Sequence, residues 1–179
     1  NLGSCLIKFS LETSSINSAH AITTYNDILN GKHINATENK PITHHQCRGK
    51  SNESLSKIKT FCDTIHNEKK FTAICHIGIG GSISGIKWIN HALRTWQCPQ
   101  QLPIAFISSH DEAHIEQTLN GVDINSTLFI FASKSGTTIE VNKIMSTLQD
   151  MANNPHFFNK QCITITTQSS PLDSDKYLA

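Results

Sequence analysis

A chain of 179 residues is long enough for one domain with an added N-terminal segment. Its 15 Lys+Arg against 14 Asp+Glu give a formal net charge of +1, so no broad field draws in nucleic acid or an acidic membrane. The apolar share is 37%, and no apolar run nears the roughly 20 residues that cross a bilayer.

The chain opens on Asn1 without a signal-peptide pattern, as expected of a processed or truncated product. Six cysteines, Cys5, Cys47, Cys62, Cys75, Cys98 and Cys162, are scattered with no C-x-x-C pair. They read as reduced thiols of a cytoplasmic protein.

Residues 1–36 have weak periodicity and read as helix and irregular structure. Thr37, followed by Glu38, Asn39, Lys40 and Pro41, reads as the N-cap of a helix running to about Arg48, with the proline tolerated near its start. Residues 54–69 carry Leu55, Ile58, Phe61, Cys62 and Ile65 at three- and four-residue spacing, which predicts an amphipathic helix. The pattern then alternates. Strands are predicted over 71–77, 103–107, 127–132 and 161–166, with helices over 84–93, 111–119 and 138–151 between them. Trp88 and Trp96 are expected to pack against the sheet. This rhythm means an α/β fold, a three-layer doubly wound parallel sheet preceded by an N-terminal helical segment. The division expected is 1–50 for that segment and 51–179 for the α/β domain. Ligands of such sheets sit at the carboxyl ends of the strands.

Two small-residue loops fall there. The first, 78–85, contains Gly78, Gly80, Gly81, Ser82 and Gly85. Glycines admit close approach to the backbone, and the helix behind offers amides to an anion. Ile83 stands where the dinucleotide fingerprint needs glycine, and no Gly-Lys-Ser/Thr makes it a P-loop. A tight turn capped by serine uses the same residues, so this loop alone leaves both readings open. The second loop, 133–138, reads Ser133, Lys134, Ser135, Gly136, Thr137, Thr138. Four hydroxyls in six positions exceed what a helix cap needs, and hydroxyl donors with helix amides suit a phosphate. His110 and His114 lie one helical turn apart but lack a third ligand and the glutamate of a zinc-protease motif, so they read as a solvated helix start.

Taken together, the two loops resemble the first sugar isomerase (SIS) domain of the glucose-6-phosphate isomerase family. Residues 78–82 resemble that family's glycine–serine signature, and 133–138 its serine–lysine–x–x–threonine–threonine loop, followed by Glu140. Glu38, Asn39 and Lys40, with His44 through Arg48, are similar to its glutamate–asparagine–arginine helix, and Ile107, Ser108 and Ser109 lie near its second strand. The resemblance spans about residues 35–170 and implies a flavodoxin-like SIS fold. It also implies that Gly81 and Ser82 touch the substrate, while Ser133, Lys134, Ser135, Gly136, Thr137 and Thr138 cradle its phosphate. The implied reaction interconverts glucose 6-phosphate and fructose 6-phosphate, in glycolysis and gluconeogenesis, by moving a proton between C1 and C2 through a cis-enediol. No metal or organic cofactor is implied; the full-length enzyme is implied to be a homodimer. The family's catalytic glutamate, its ring-opening groups and its second SIS domain lie beyond the stretch matched here. The expectation is therefore a phosphate pocket without the catalytic base, inactive alone, with no catalytic residue assigned in this chain. Sugar-phosphate sensors and other sugar-phosphate enzymes also carry SIS domains and form the alternative. A DNA-binding sensor would need a basic recognition helix, which is lacking.

Overall fold

The computed structural model describes residues 18–32, 34–36, 39–47, 52–94 and 102–178. They fall into two compact units divided between Phe61 and Cys62. In the first, helix α1 spans Ser18–Leu29 and buries none of its residues. Strand β1 (Ile34–Asn35) pairs antiparallel with β2 (Lys40–Pro41), and a 3-10 turn covers His44–Cys47. The helix expected over 37–48 is not formed within its described part. Pro41 has no N–H to give a helix and pushes Lys40 toward extended backbone. Asn39 takes the left-handed conformation at φ 50°, and its N–H donates to the Asn35 carbonyl at 2.8 Å, closing a hairpin instead. Thr37, Glu38 and Arg48 lie outside the described residues, as does Trp96.

Helix α2, Asn52–Glu68, crosses the division and matches the amphipathic pattern. Beyond it, β3 (Ala73–Gly78), β4 (Ile104–Ile107), β5 (Thr127–Ala132) and β6 (Cys162–Ile165) form one sheet in the order β4-β3-β5-β6, all parallel. Between them run α3 (Gly81–Arg94), α4 (Glu112–Leu119), α5 (Ile139–Ala152) and the short α6 (Phe157–Gln161).

Strand alternation sorts the sheet into two faces. Cys75 and Ile77 of β3, Ile107 of β4, Phe129 and Phe131 of β5 and Cys162 of β6 join one buried cluster with Ile115 and Leu119 of α4 and Val141, Ile144 and Leu148 of α5. His76 points to the other face, where its Nε2 lies 2.9 Å from the Ser82 carbonyl and so meets the first turn of α3. Helices thus cover both faces, the doubly wound arrangement expected. Trp88 does not pack against the sheet: it is 80% exposed. The buried stripe of α3 holds Ile83 and Asn90, two turns apart. Trp88 stands about 140° around the helix from Ile83 at 100° per residue.

From β3 the chain passes through α3 to β4, then reverses past β3 to reach β5. That reversal makes the carboxyl ends of β3 and β5 the switch point of the sheet, where such folds open a crevice. Gly78 pairs with Ala132 across these two strands, so the chain leaves both at the same level. Their spacing is that of neighbouring strands, about 4.8 Å. Both candidate loops start there.

Candidate functional site

The first loop is built around a close return of the chain. A Cβ on Gly78 would stand 3.0 Å from the Ser82 carbonyl oxygen and 3.1 Å from its Cβ, so the strand end tolerates only glycine this near α3. Gly80 sits at φ +56°, and its carbonyl accepts from Ile83 N–H at 3.2 Å, Ser84 N–H at 3.0 Å and Ser84 Oγ at 2.8 Å. Helix α3 therefore begins at Gly81, three residues before the sequence pattern placed it. Gly81 is exposed and Ser82 half-buried, so both stay reachable.

His76 supports this loop from below. Its bond partner is a carbonyl, which only accepts, so Nε2 carries a proton and donates it. Burial lowers its pKa from the ordinary value of 6.5, because a charged ring there loses water; the bond to Ser82 opposes the shift without reversing it.

The second loop is tighter. Ser133 is buried, and its Oγ lies 2.8 Å from Thr138 Oγ1 while accepting from the Gly136 N–H at 3.2 Å. Thr138 holds the N-cap position of α5, with φ −62° and ψ 115°, yet its side chain makes no capping bond. Its hydroxyl goes to Ser133 instead, so helix capping does not account for it. Ser135 Oγ accepts from the Thr137 N–H at 3.2 Å and from Thr137 Oγ1 at 3.0 Å. Two accepted bonds leave the Ser135 hydroxyl proton for a further acceptor. Lys134, Ser135 and Thr137 are exposed at the loop rim.

Behind this loop lies a turn that sequence reading passed over. Thr166, Thr167, Ser169 and Ser170 follow β6 directly, the neighbour of β5. Ser133 N–H donates to the Ile165 carbonyl at 3.0 Å, and Thr167 donates to the Lys134 carbonyl through N–H at 3.2 Å and Oγ1 at 2.8 Å. The available signal was a hydroxyl-dense run at a strand's carboxyl end, the same signal that marked the 133–138 loop. His76 also went unnoticed, since one histidine in an apolar run reads as core.

Other candidates contribute less. Ser109 Oγ accepts from the Asp111 N–H at 3.2 Å and serves the entry to α4. His114 Nε2 is buried without a hydrogen-bond partner. Among the described residues, no three His, Cys, Asp or Glu side chains are placed to hold a metal ion. A surface depression lined by Gln149, Asp150, Asn153, Asn154 and Pro155 opens at the far end of α5 and contains no residue of either candidate loop. That end lies about 20 Å from Thr138 along the helix. No helix among the described residues is long and apolar enough to cross a membrane.

The two loops thus place hydroxyls, helix-start amides and one lysine at adjoining strand ends. That donor set fits a phosphorylated small molecule.

Residues 11–174 match the family model described as phosphoglucose isomerase. A glucose-6-phosphate isomerase of Borreliella afzelii (strain PKo) is 32% identical over 182 aligned positions, covering 86% of this chain and 34% of that protein. One from Treponema denticola is 32% identical, covering 84% of this chain and 33% of its own length. The crystal structure of a glucose-6-phosphate isomerase from Chlamydia trachomatis D/UW-3/Cx superposes with a TM-score of 0.65 at 30% identity, over 72% of this chain and 25% of that one. The chain spans about a third of the length of the curated relatives it matches.

Proposed function

This chain belongs to the phosphoglucose isomerase family, and we propose from that premise that its two switch-point loops bind the phosphosugar of an aldose–ketose isomerisation. The relatives are named glucose-6-phosphate isomerases, and the substrates proposed are glucose 6-phosphate and its ketose isomer fructose 6-phosphate, in glycolysis and gluconeogenesis. The observation that carries this reading is the Ser133–Thr138 hydroxyl pair at 2.8 Å, at an N-cap position where no capping bond is made. Ser133, Lys134, Ser135, Gly136, Thr137 and Thr138 cradle the phosphate, the exposed Ser135 hydroxyl and Lys134 ammonium meeting it from the rim. Gly81 and Ser82 meet the sugar from the neighbouring strand end.

Binding in this way orients the sugar by its phosphate and leaves C1 and C2 to be worked on by groups outside these loops. Isomerisation needs a base near those carbons, and the histidine nearest the first loop, His76, is buried in β3 beneath that loop. We therefore read residues 51–179 as a SIS-type binding domain that does not turn over phosphosugar alone. The test replaces Ser133 by Ala and Thr138 by Val together. The folded variant is expected to lose fructose 6-phosphate binding in titration calorimetry, and unchanged affinity would refute the assignment. In a coupled assay the unaltered chain is expected to show no isomerase activity above buffer.

A further inference from the structure

The turn after β6 does more than fill space behind the 133–138 loop. The Lys134 carbonyl receives both donors of Thr167, N–H at 3.2 Å and Oγ1 at 2.8 Å, with Thr166 Oγ1 at 3.5 Å. The turn is itself braced: Thr166 Oγ1 and Ser170 Oγ lie 2.6 Å apart, and Ser170 N–H donates to the Thr167 carbonyl at 3.1 Å. No peptide bond among the described residues is cis. In a planar trans peptide the carbonyl and the following N–H point in opposite directions. Drawing the Lys134 carbonyl into the β6 turn therefore turns the Ser135 N–H away from it. An anion is repelled by a carbonyl oxygen and attracted by an amide proton, so the orientation of this one peptide unit decides whether the loop offers a donor or an acceptor.

We propose that Thr167 is a positioning residue for phosphate binding, acting through the Lys134–Ser135 peptide without touching the ligand. This rests on the phosphosugar reading of the loop given above. Exposure of the loop rim is compatible with this role, since Lys134, Ser135 and Thr137 stay accessible while Ser133 and Gly136 are buried against the turn.

The test uses the full chain and the substitutions Thr167→Val and Thr167→Ser. Valine keeps the side-chain volume and the backbone N–H but removes the hydroxyl donor; serine restores it. With fructose 6-phosphate as probe and unphosphorylated fructose as control, Thr167→Val is expected to weaken binding about 5- to 10-fold, within the span that one lost neutral hydrogen bond covers. Thr167→Ser is expected to return within about 2-fold of the parent. The amide nitrogen resonance of Ser135 is expected to move in the valine variant and to return in the serine variant. A merely structural role would change the thermal midpoint without this rescue pattern. If the parent chain binds and Thr167→Val binds equally well, the proposal is overturned, as it is if the Ser135 resonance stays in place. Should the valine variant not fold, the scalar coupling across the Thr167 N–H to Lys134 carbonyl bond in the unaltered chain decides; its absence overturns the proposal. A parent chain that binds no phosphosugar refutes the pocket itself, a result distinct from any of these.

Discussion

Replacing Gly136 by alanine separates two costs that a glycine can hide. Gly136 sits at φ +68°, and the left-handed region costs a residue with a Cβ about 1–2 kcal/mol. The added Cβ would also stand 2.8 Å from Ser170 Oγ, 3.1 Å from the Leu172 backbone nitrogen and 3.1 Å from Pro171 Cδ. Ser170 can rotate its hydroxyl, but the Leu172 backbone and the proline ring move only with the turn. Overpacking of this kind costs about 1–3 kcal/mol, for a total near 2–5 kcal/mol. The second unit, residues 62–179, has about 120 residues. At about 2.1 cal/mol/K per residue, one kcal/mol lowers its midpoint by about 4 °C, so Gly136→Ala should lose about 8–20 °C. Gly80 supplies the control, with φ +56° and nothing within 4 Å of its Cβ. Gly80→Ala then carries only the backbone cost, about 4–8 °C. Stiffening of the unfolded chain by alanine offsets both variants alike and cancels between them. Circular dichroism melts of the two variants side by side make the measurement. Equal losses would refute the claim that the β6 turn is packed hard against the 133–138 loop.

Two further outcomes follow from buried groups. Because the folded-state pKa of His76 is lowered, the unfolded chain binds the proton more readily. The stability tied to neutral His76 is present above the unfolded value near 6.5 and is lost as pH falls through the folded value. His76→Leu should flatten that acid-side decline in urea titrations between about pH 7 and 5, and an unchanged slope would contradict the buried neutral ring. Burial pushes the Cys75 thiol up to about 12 and raises that of Cys162 further, whereas Cys62 is exposed. Peptide mapping after a brief maleimide pulse at pH 7.5 should find Cys62 labelled, with Cys75 and Cys162 protected until urea unfolds the sheet. Early labelling of Cys75 would mean that the β3 core opens readily.

Local signals carried most of the α/β domain. The run Thr127–Ala132 was read as a strand at its true limits, because its residues are apolar on both sides and bounded by polar ones. Asp111 was read as the start of a helix and is the N-cap of α4, with its carboxylate accepting from the Ala113 N–H at 3.2 Å. The start of α3 was placed late because Gly80 and Gly81 look like breakers, although a left-handed Gly80 is what turns the chain into the helix. The short α6 was missed since five residues give no periodicity; Phe157 holds it by packing on Phe129 at 5.2 Å between ring centroids. Strand order was not legible either, and with it the adjacency of the two loops. The bonds from Thr167 to Lys134 join residues 33 apart. Nothing in either segment by itself announces that partnership.

The measurement that bears most directly on the whole account is thermal unfolding of the chain with fructose 6-phosphate, 6-phosphogluconate, fructose and inorganic phosphate. A ligand at 100 times its dissociation constant stabilises by about 2.7 kcal/mol. For a unit of this size that raises the midpoint by about 10 °C. Phosphosugar binding at the two loops should give a rise with the phosphosugars larger than the rise with phosphate, and none with fructose. No rise with any of them would contradict it, leaving the two loops as strand–helix turns.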